Sequence, residues 1–178
     1  MKLELGSGER PTEGYLHQDV IQLGVPLDYI CNPWELPIKD NSLTEVIAIA
    51  VMEHLRINEF RDTLKYIYKL LKPKGVFYFD VPDIKIWSKY LFLVTNAPIL
   101  EKSKEVPYSK VDVYKTIWGW QRWEGDEHKS AWIVEDIYWE LERAGFKASD
   151  GLADIKERVH RDRFYRPENA HIYIKAVK

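Results

Sequence analysis

Apolar positions in this chain follow two rhythms. Short runs of β-branched and aliphatic residues alternate with stretches where apolar residues recur every three or four positions. That alternation predicts strands interleaved with helices, and so a mainly parallel sheet covered on both faces, a three-layer α/β/α sandwich. Residues 2–6, 15–20 and 27–31 read as three short strands. A longer run, 43–51, is apolar on both faces through Val46-Ile47-Ala48-Ile49-Ala50-Val51. Phe60, Leu64, Ile67 and Leu71 then share one helical face, with Asn58 as the expected N-cap. Lys72-Pro73-Lys74-Gly75 ends that helix, and Val76 to Val81 forms a strand stopped by Pro82. Ile84, Trp87, Leu91 and Val94 mark a second helix. Residues 95–130 are broken by Pro98, Pro107 and Gly119, are rich in tryptophan, and are expected to be irregular. Ile133, Ile137, Leu141 and Ala144 restore helical spacing, closed by Gly145. Phe146 begins a strand, a basic loop follows, and Ile172 to Val177 ends the chain as a last strand.

Composition narrows the class without choosing a function. The 178 residues suit one domain, 1–178, and the 46% hydrophobic and 30% charged fractions are those of an ordinary globular protein. A net charge of -2 argues against a broad nucleic-acid face or a polybasic membrane surface. Cys31 is the single cysteine, so an internal disulfide and a Cys-rich zinc site are excluded. No His or Cys cluster has metal-ligand spacing along the chain. No apolar run is long enough to cross a bilayer, and no leader precedes the first strand, so a cytoplasmic location is expected.

The chemistry is concentrated at the start. Leu3-Glu4-Leu5-Gly6-Ser7-Gly8 is an apolar strand running into a glycine pair, and Asp19 ends the next strand eleven residues past Gly8. Glycines at such a turn let backbone groups meet a ligand directly, and a carboxylate at the tip of the neighbouring strand suits a ribose diol. The pairing points to an adenosine-containing cofactor. A dinucleotide fingerprint requires a third glycine opening a helix and an acid about 20 residues on. Here Glu9-Arg10-Pro11 follows Gly8 and Asp19 comes early, which disfavours NAD.

These segments resemble a known family. The glycine turn, Asn32-Pro33-Trp34-Glu35-Leu36-Pro37, Asp40-Asn41-Ser42-Leu43, Val51-Met52-Glu53-His54-Leu55 and Leu71-Lys72-Pro73-Lys74-Gly75 occur in the order and spacing of class I S-adenosylmethionine-dependent methyltransferases. They are most similar to the type 11, or UbiE-like, branch. The later stretch Gly125-Asp126-Glu127-His128-Lys129, with the helix ending Ala144-Gly145-Phe146, is similar to a compact subgroup associated with glycan modification. The resemblance implies a Rossmann-like, mostly parallel seven-stranded sheet with an antiparallel last strand. It also implies S-adenosylmethionine as cofactor and a small-molecule acceptor, methylated at an oxygen of a saccharide or related metabolite. Residues 95–130 would then be an acceptor-side insertion or lid.

On that resemblance Gly6, Ser7 and Gly8 approach the methionine moiety, with Glu4 assisting through water. Asp19 takes the ribose hydroxyls beside Val20. Asn32 replaces the usual aspartate at the adenine amino group, its carbonyl oxygen able to accept the same bond, and Pro33 precedes Trp34, which covers adenine or plugs the sheet edge. Ala50, Val51 and His54 line the methionine side. Thr44 stands where the family often has an acid, Arg10 stands in place of the third glycine, and the first crossover helix is shortened or absent. His54 and His128 are the candidate bases; the competing accounts are a histidine bonded to backbone at a helix entry and one in an exposed polar loop. Asp83 is either an acceptor-site acid or a helix cap. Trp118, Trp120 and Trp123, with Trp132, Tyr108 and Tyr114, either stack on an acceptor or pack a lid. Lys156, Arg158, Arg161, Arg163 and Arg166 either hold an anionic acceptor or form a solvated loop. Two rivals remain at this level: a non-catalytic binding or regulatory module on the same fold, and a nucleotide-dependent oxidoreductase.

Overall fold

The computed structural model describes residues 1–102, 106–159 and 168–178. The strands are β1 (Lys2–Leu5), β2 (Leu16–Asp19), β3 (Tyr29–Ile30), β4 (Leu43–Ala48), β5 (Leu71–Pro82), β6 (Lys147–Asp150) and β7 (His171–Val177). The helices are α1 (Ile57–Leu70), α2 (Ile84–Leu93), α3 (Lys110–Trp118), α4 (Val134–Ala144) and α5 (Leu152–Arg158). All seven strands form one sheet in the order β3-β2-β1-β4-β5-β7-β6. Pairings from β3 through β5 are parallel, and β7 runs antiparallel to both neighbours. The sheet is therefore of the expected kind, α/β and Rossmann-like. Order reverses between β1 and β4, and in open α/β sheets the crevice at such a reversal, outside the carboxyl ends of the strands, is where ligands bind.

Strand alternation separates two unequal faces. Leu3, Leu5, Val46, Phe77, Phe79 and Ile174 join Phe60, Leu64 and Ile67 of α1 and Ile137 and Leu141 of α4 in the main core. The other face holds a smaller group, Tyr15, Ile47, Tyr78 and Tyr173, covered by Ile155 of α5 and Val159. A third group, with Trp87, Val94, Val106 and Val113, packs α2 against α3. Among the described residues no helix is long and apolar enough to cross a membrane.

Several local expectations are corrected. The N-cap of α1 is Arg56, not Asn58, because Glu59 reaches back to accept the Arg56 N–H at 2.8 Å. β5 already starts at Leu71, but its pairing with β4 passes from Leu71 to Val76, so Lys72 to Gly75 bulge from that ladder with Lys74 at φ 66. Residues 95–130 are not wholly irregular. They contain α3, capped by Ser109, whose hydroxyl accepts the Asp112 N–H while Asp112 accepts the Ser109 N–H. The loop after β6 contains α5, too short for apolar periodicity to reveal. No helix occupies either of the first two crossovers, 6–15 and 20–28.

Candidate active site

Four loops leave the carboxyl ends of β1 to β4 on the same edge of the sheet. After β1, Gly6 (φ +58) and Gly8 (φ +57) both adopt the left-handed conformation. At Gly6 a Cβ would lie 2.3 Å from Val51 Cγ2, so the glycine is required by space as well as by backbone. The loop is held from β2: the Ser7 N–H donates to the Gln18 carbonyl at 3.1 Å and the Gly6 N–H to Gln18 Oε1 at 3.3 Å. Gln18 in turn donates to the Cys31 carbonyl at 2.5 Å, tying the glycine turn to the end of β3.

Asp19 lies beside the glycines. Its Oδ2 accepts the Gly8 N–H at 3.0 Å, and its Oδ1 accepts the Val20 and Ile21 N–H groups at 2.7 and 3.4 Å. Val20, 61% exposed, offers an apolar surface next to it. Asn32 donates its amide to Glu35 Oε2 at 2.8 Å, which fixes the flip so that Oδ1 points away as an acceptor. Pro33 is buried, and Trp34 packs partly against the main core.

Glu4 has a different place from the one expected. It is fully buried below the loop, and its carboxylate accepts the Thr12 N–H at 2.6 Å and the Thr12 hydroxyl at 2.7 Å, with His17 Nδ1 at 3.2 Å. Glu4 thus braces residues 6–12 where a crossover helix is lacking. Thr12 and His17, its partners, have no motif that sequence reasoning could detect.

Beyond β4 the chain turns through Ala50 at φ 58, an unusual conformation for alanine. Asp80 Oδ1 accepts the Ala50 N–H at 2.8 Å, and Asp80 Oδ2 lies 3.2 Å from His171 Nδ1. Both side chains are buried. Sequence reasoning misses Asp80, although a carboxylate in the middle of Phe77-Tyr78-Phe79-Asp80-Val81 is a usable signal, since buried charges are kept only when partnered. A 3-10 turn, Met52–His54, follows Val51.

That turn meets the segment 126–130. The Lys129 and Ser130 N–H groups donate to the Glu53 carbonyl at 2.9 and 3.2 Å. His54 Nδ1 lies 3.1 Å from the Glu127 carbonyl, so this nitrogen carries the proton. The His54 and His128 rings meet edge to face at 4.8 Å, and His128 Nε2 stands 4.0 Å from Glu53 Oε1. His128 is therefore not in an exposed loop: its side chain is 8% exposed, and that of Glu53 is 1% exposed. Linear spacing shows no metal-ligand cluster, because residues 53–54 and 128 are brought together only by folding. One donor atom from each of Glu53, His54 and His128 lies within 4.8 Å of the others. Asp126, behind them, accepts from the Arg122 backbone N–H, Nε and NH2 at 2.9 to 3.0 Å. Burial pushes the Asp126 carboxyl up, but the Arg122 hydrogen bonds outweigh it and hold the group below its ordinary value.

The aromatic residues do not form one cluster: Trp132 and Tyr108 each pack apart from the rest. Trp132 is core, 4.3 Å from Phe60. Tyr108 packs with Trp87 and Tyr90 at 5.3 and 5.5 Å. Tyr114 and Trp118 pair at 5.4 Å, lining with Leu91, Lys115 and Trp120 an open groove of about 540 Å³. Trp120 stacks under Lys115 at 4.3 Å, and Trp123 under Arg122 at 4.1 Å. The groove adjoins the histidine pair through Gly119, which bridges to Glu127. Asp83 caps α2, accepting the Lys85 N–H at 2.9 Å. Arg158 lies on the smaller sheet face, 3.2 Å from Glu45, and Lys156 is exposed. Arg161, Arg163 and Arg166 lie outside the described residues.

Residues 12–79 match the profile of a methyltransferase domain. No curated protein matches the chain. Among solved structures, a S-adenosylmethionine-dependent methyltransferase from Thermotoga maritima aligns over 99% of this chain and 81% of its own, with TM-score 0.59 and 14% identity. One from Archaeoglobus fulgidus aligns over 99% and 85%, with TM-score 0.59 and 13% identity. The Burkholderia thailandensis 1,6-didemethyltoxoflavin-N1-methyltransferase, solved with 1,6-didemethyltoxoflavin and S-adenosylhomocysteine, aligns over 99% and 70%, with TM-score 0.56 and 16% identity. Residues 12–79 thus resemble a methyltransferase domain, and the chain has the fold of these enzymes. Two of these neighbours are described as S-adenosylmethionine-dependent, and the third was solved with S-adenosylhomocysteine bound.

Proposed function

We propose that this protein transfers the sulfonium methyl of S-adenosylmethionine to an oxygen of a small acceptor, a saccharide or related metabolite. The observation that carries the reading is the convergence at the β1/β4 reversal of the left-handed Gly6–Gly8 loop, Asp19 and the Ala50–His54 turn. Asp19 has lone pairs beyond those engaged by Gly8 and Val20, and accepts the ribose hydroxyls. Val20 meets the adenine ring, and Asn32 Oδ1 accepts its amino group. Ala50 and Val51 flank the methionine. The acceptor enters from the side of His54 and His128, with Trp118, Trp120 and Trp123 beside it.

The chemistry asks little covalent help of the protein. The acceptor oxygen attacks the methyl carbon in line with sulfur, the carbon–sulfur bond breaks, and its electron pair stays on sulfur as the neutral thioether. Alignment supplies most of the acceleration, and a hydroxyl acceptor must also lose its proton. The histidine pair stands where that proton would be handled. The saccharide class rests on the subgroup resemblance and on exposed flat rings beside the site, since rings stack on the apolar faces of sugars.

Calorimetric titration with S-adenosylmethionine and S-adenosylhomocysteine tests the cofactor half. Micromolar binding is expected, lost in Asp19→Ala, and no binding to the folded wild type would sink the reading. Labelled-methyl transfer to a panel of monosaccharides and nucleotide sugars tests the acceptor half. The two helix-free crossovers favour one alternative, a binding module without turnover, which cofactor binding with no transfer to any acceptor would support.

A further inference from the structure

We propose that Glu53, His54 and His128 form a binding site for one divalent first-row transition-metal cation, with zinc as the reference ion. Two imidazoles and one carboxylate are the donor set that holds zinc in sites with an open position. Imidazole ligands favour zinc, cobalt, nickel or iron over magnesium or calcium, which take oxygen ligands. The three donor atoms already lie within 4.8 Å of one another. Ligand atoms around a tetrahedral zinc stand about 3.3 Å apart, so each donor needs to draw in by less than about 1 Å.

The surroundings suit a site. The His54 Nδ1–H bond to the Glu127 carbonyl fixes the tautomer and leaves Nε2 carrying the lone pair. A backbone carbonyl in that role is the usual orienting partner of a metal-bound histidine. Glu53 and His128 are held in register by the backbone bonds from Lys129 and Ser130 to the Glu53 carbonyl. Burial of both side chains raises the affinity of the set for a cation, since little water competes. A cavity of about 10 Å³, room for roughly one water, lies against Glu53, His128, Thr116 and Ser130.

Binding of the ion does not depend on the methyltransferase reading, but its role does. An ion held by Glu53, His54 and His128 would make a hydroxyl that reached it a stronger acid, which is the chemistry a bound divalent cation supplies. As ligands the histidines would hold the ion and would not act as free bases.

The test uses untagged full-length protein, stripped with chelator and dialysed, titrated with zinc chloride by calorimetry and with cobalt by visible absorption. S-adenosylhomocysteine is titrated into the same samples. One equivalent of zinc is expected to bind with micromolar or tighter affinity, and cobalt to give the absorption of a site with nitrogen ligands. Glu53→Gln and His128→Asn should each weaken zinc at least tenfold while S-adenosylhomocysteine still binds. Wild type that binds S-adenosylhomocysteine but no zinc overturns the proposal. So does zinc affinity unchanged in both variants. Zinc binding without S-adenosylhomocysteine binding would uphold the metal site and sink the methyltransferase reading instead.

Discussion

At the residue scale, the two glycines of the first loop are used differently. Both sit at positive φ, but only Gly6 faces a neighbour, Val51 Cγ2, at a distance no real Cβ tolerates. At Gly8 a Cβ would meet nothing within 4 Å, so alanine there is strained in the backbone alone. Gly8→Ala should therefore lower stability by about 1 kcal/mol. Gly6→Ala must also displace Val51 and the turn behind it, and should lower stability by about 2–3 kcal/mol. Thermal denaturation ranks the pair, and calorimetry with S-adenosylhomocysteine should show Gly6→Ala weakened more than tenfold. Equal losses in the two variants would show that the Val51 contact relaxes freely. Asp80 makes a parallel case. It accepts the strained Ala50 N–H from a buried position, so Asp80→Ala, which removes that acceptor, should weaken cofactor binding without touching the cofactor itself. A variant that binds S-adenosylhomocysteine like wild type would remove Asp80 from the site's support.

At the element scale, α3 and the segment 126–130 form one unit beside the open groove. Gly119 ends α3 and lies so close to the following segment that a Cβ would meet the Asp126 carbonyl at 2.3 Å. Arg122 clamps Asp126 from the same side. Because the folded Asp126 carboxyl is held below its ordinary value, its contribution is present above the unfolded value near pH 4. It is lost as pH falls further, through the folded value. Wild type should thus show an acid transition of this unit below about pH 4, read by tryptophan fluorescence because Trp123 stacks under Arg122. Arg122→Gln should abolish that transition and converge with wild type once pH falls below the folded value of Asp126. A transition of the same midpoint in both would assign it elsewhere.

This unit also marks how far the sequence was legible. The glycine turn, Asp19, Asn32 and the β4 turn were readable because each lies at a strand end, where period and punctuation coincide. The strands were readable for the same reason, from β-branched runs bounded by Gly and Pro. The helix α3 was hidden because its apolar residues face only α2, leaving Tyr114 and Trp118 on the groove and the periodicity blurred. The meeting of His128 with Glu53 and His54, and of Asp80 with His171, spans more than 70 residues of chain. No local pattern encodes such contacts. They follow from β5 lying beside β7 and from the 126–130 segment crossing the end of β4.

At the scale of the whole molecule, the sheet is supported unequally. One face carries α1 and α4 over a contiguous apolar core, and among the described residues the other carries the seven-residue α5 and a polar network. In that network the Tyr15 hydroxyl donates to Glu45, Arg158 lies 3.2 Å from Glu45, and Lys175 lies 3.1 Å from Asp154. Burial, opposed by Arg158, pushes the Tyr78 hydroxyl up to about 12, so it stays protonated as a donor to Asp154. A helix of this length has no stability of its own and exists through Ile155, Val159 and these bonds. Amides of α5 should therefore exchange with solvent by local opening, faster than those of α1 and β5, which need global unfolding. Phe79→Ala, in the larger core, should cost about 3–5 kcal/mol and accelerate exchange everywhere. Ile155→Ala should release α5 with a smaller fall in melting temperature and leave α1 protected. If α5 proves as protected as α1 in wild type, or if Ile155→Ala exposes both helices alike, the two faces form one cooperative unit. The helix-free crossovers would then cost this fold nothing in cooperativity.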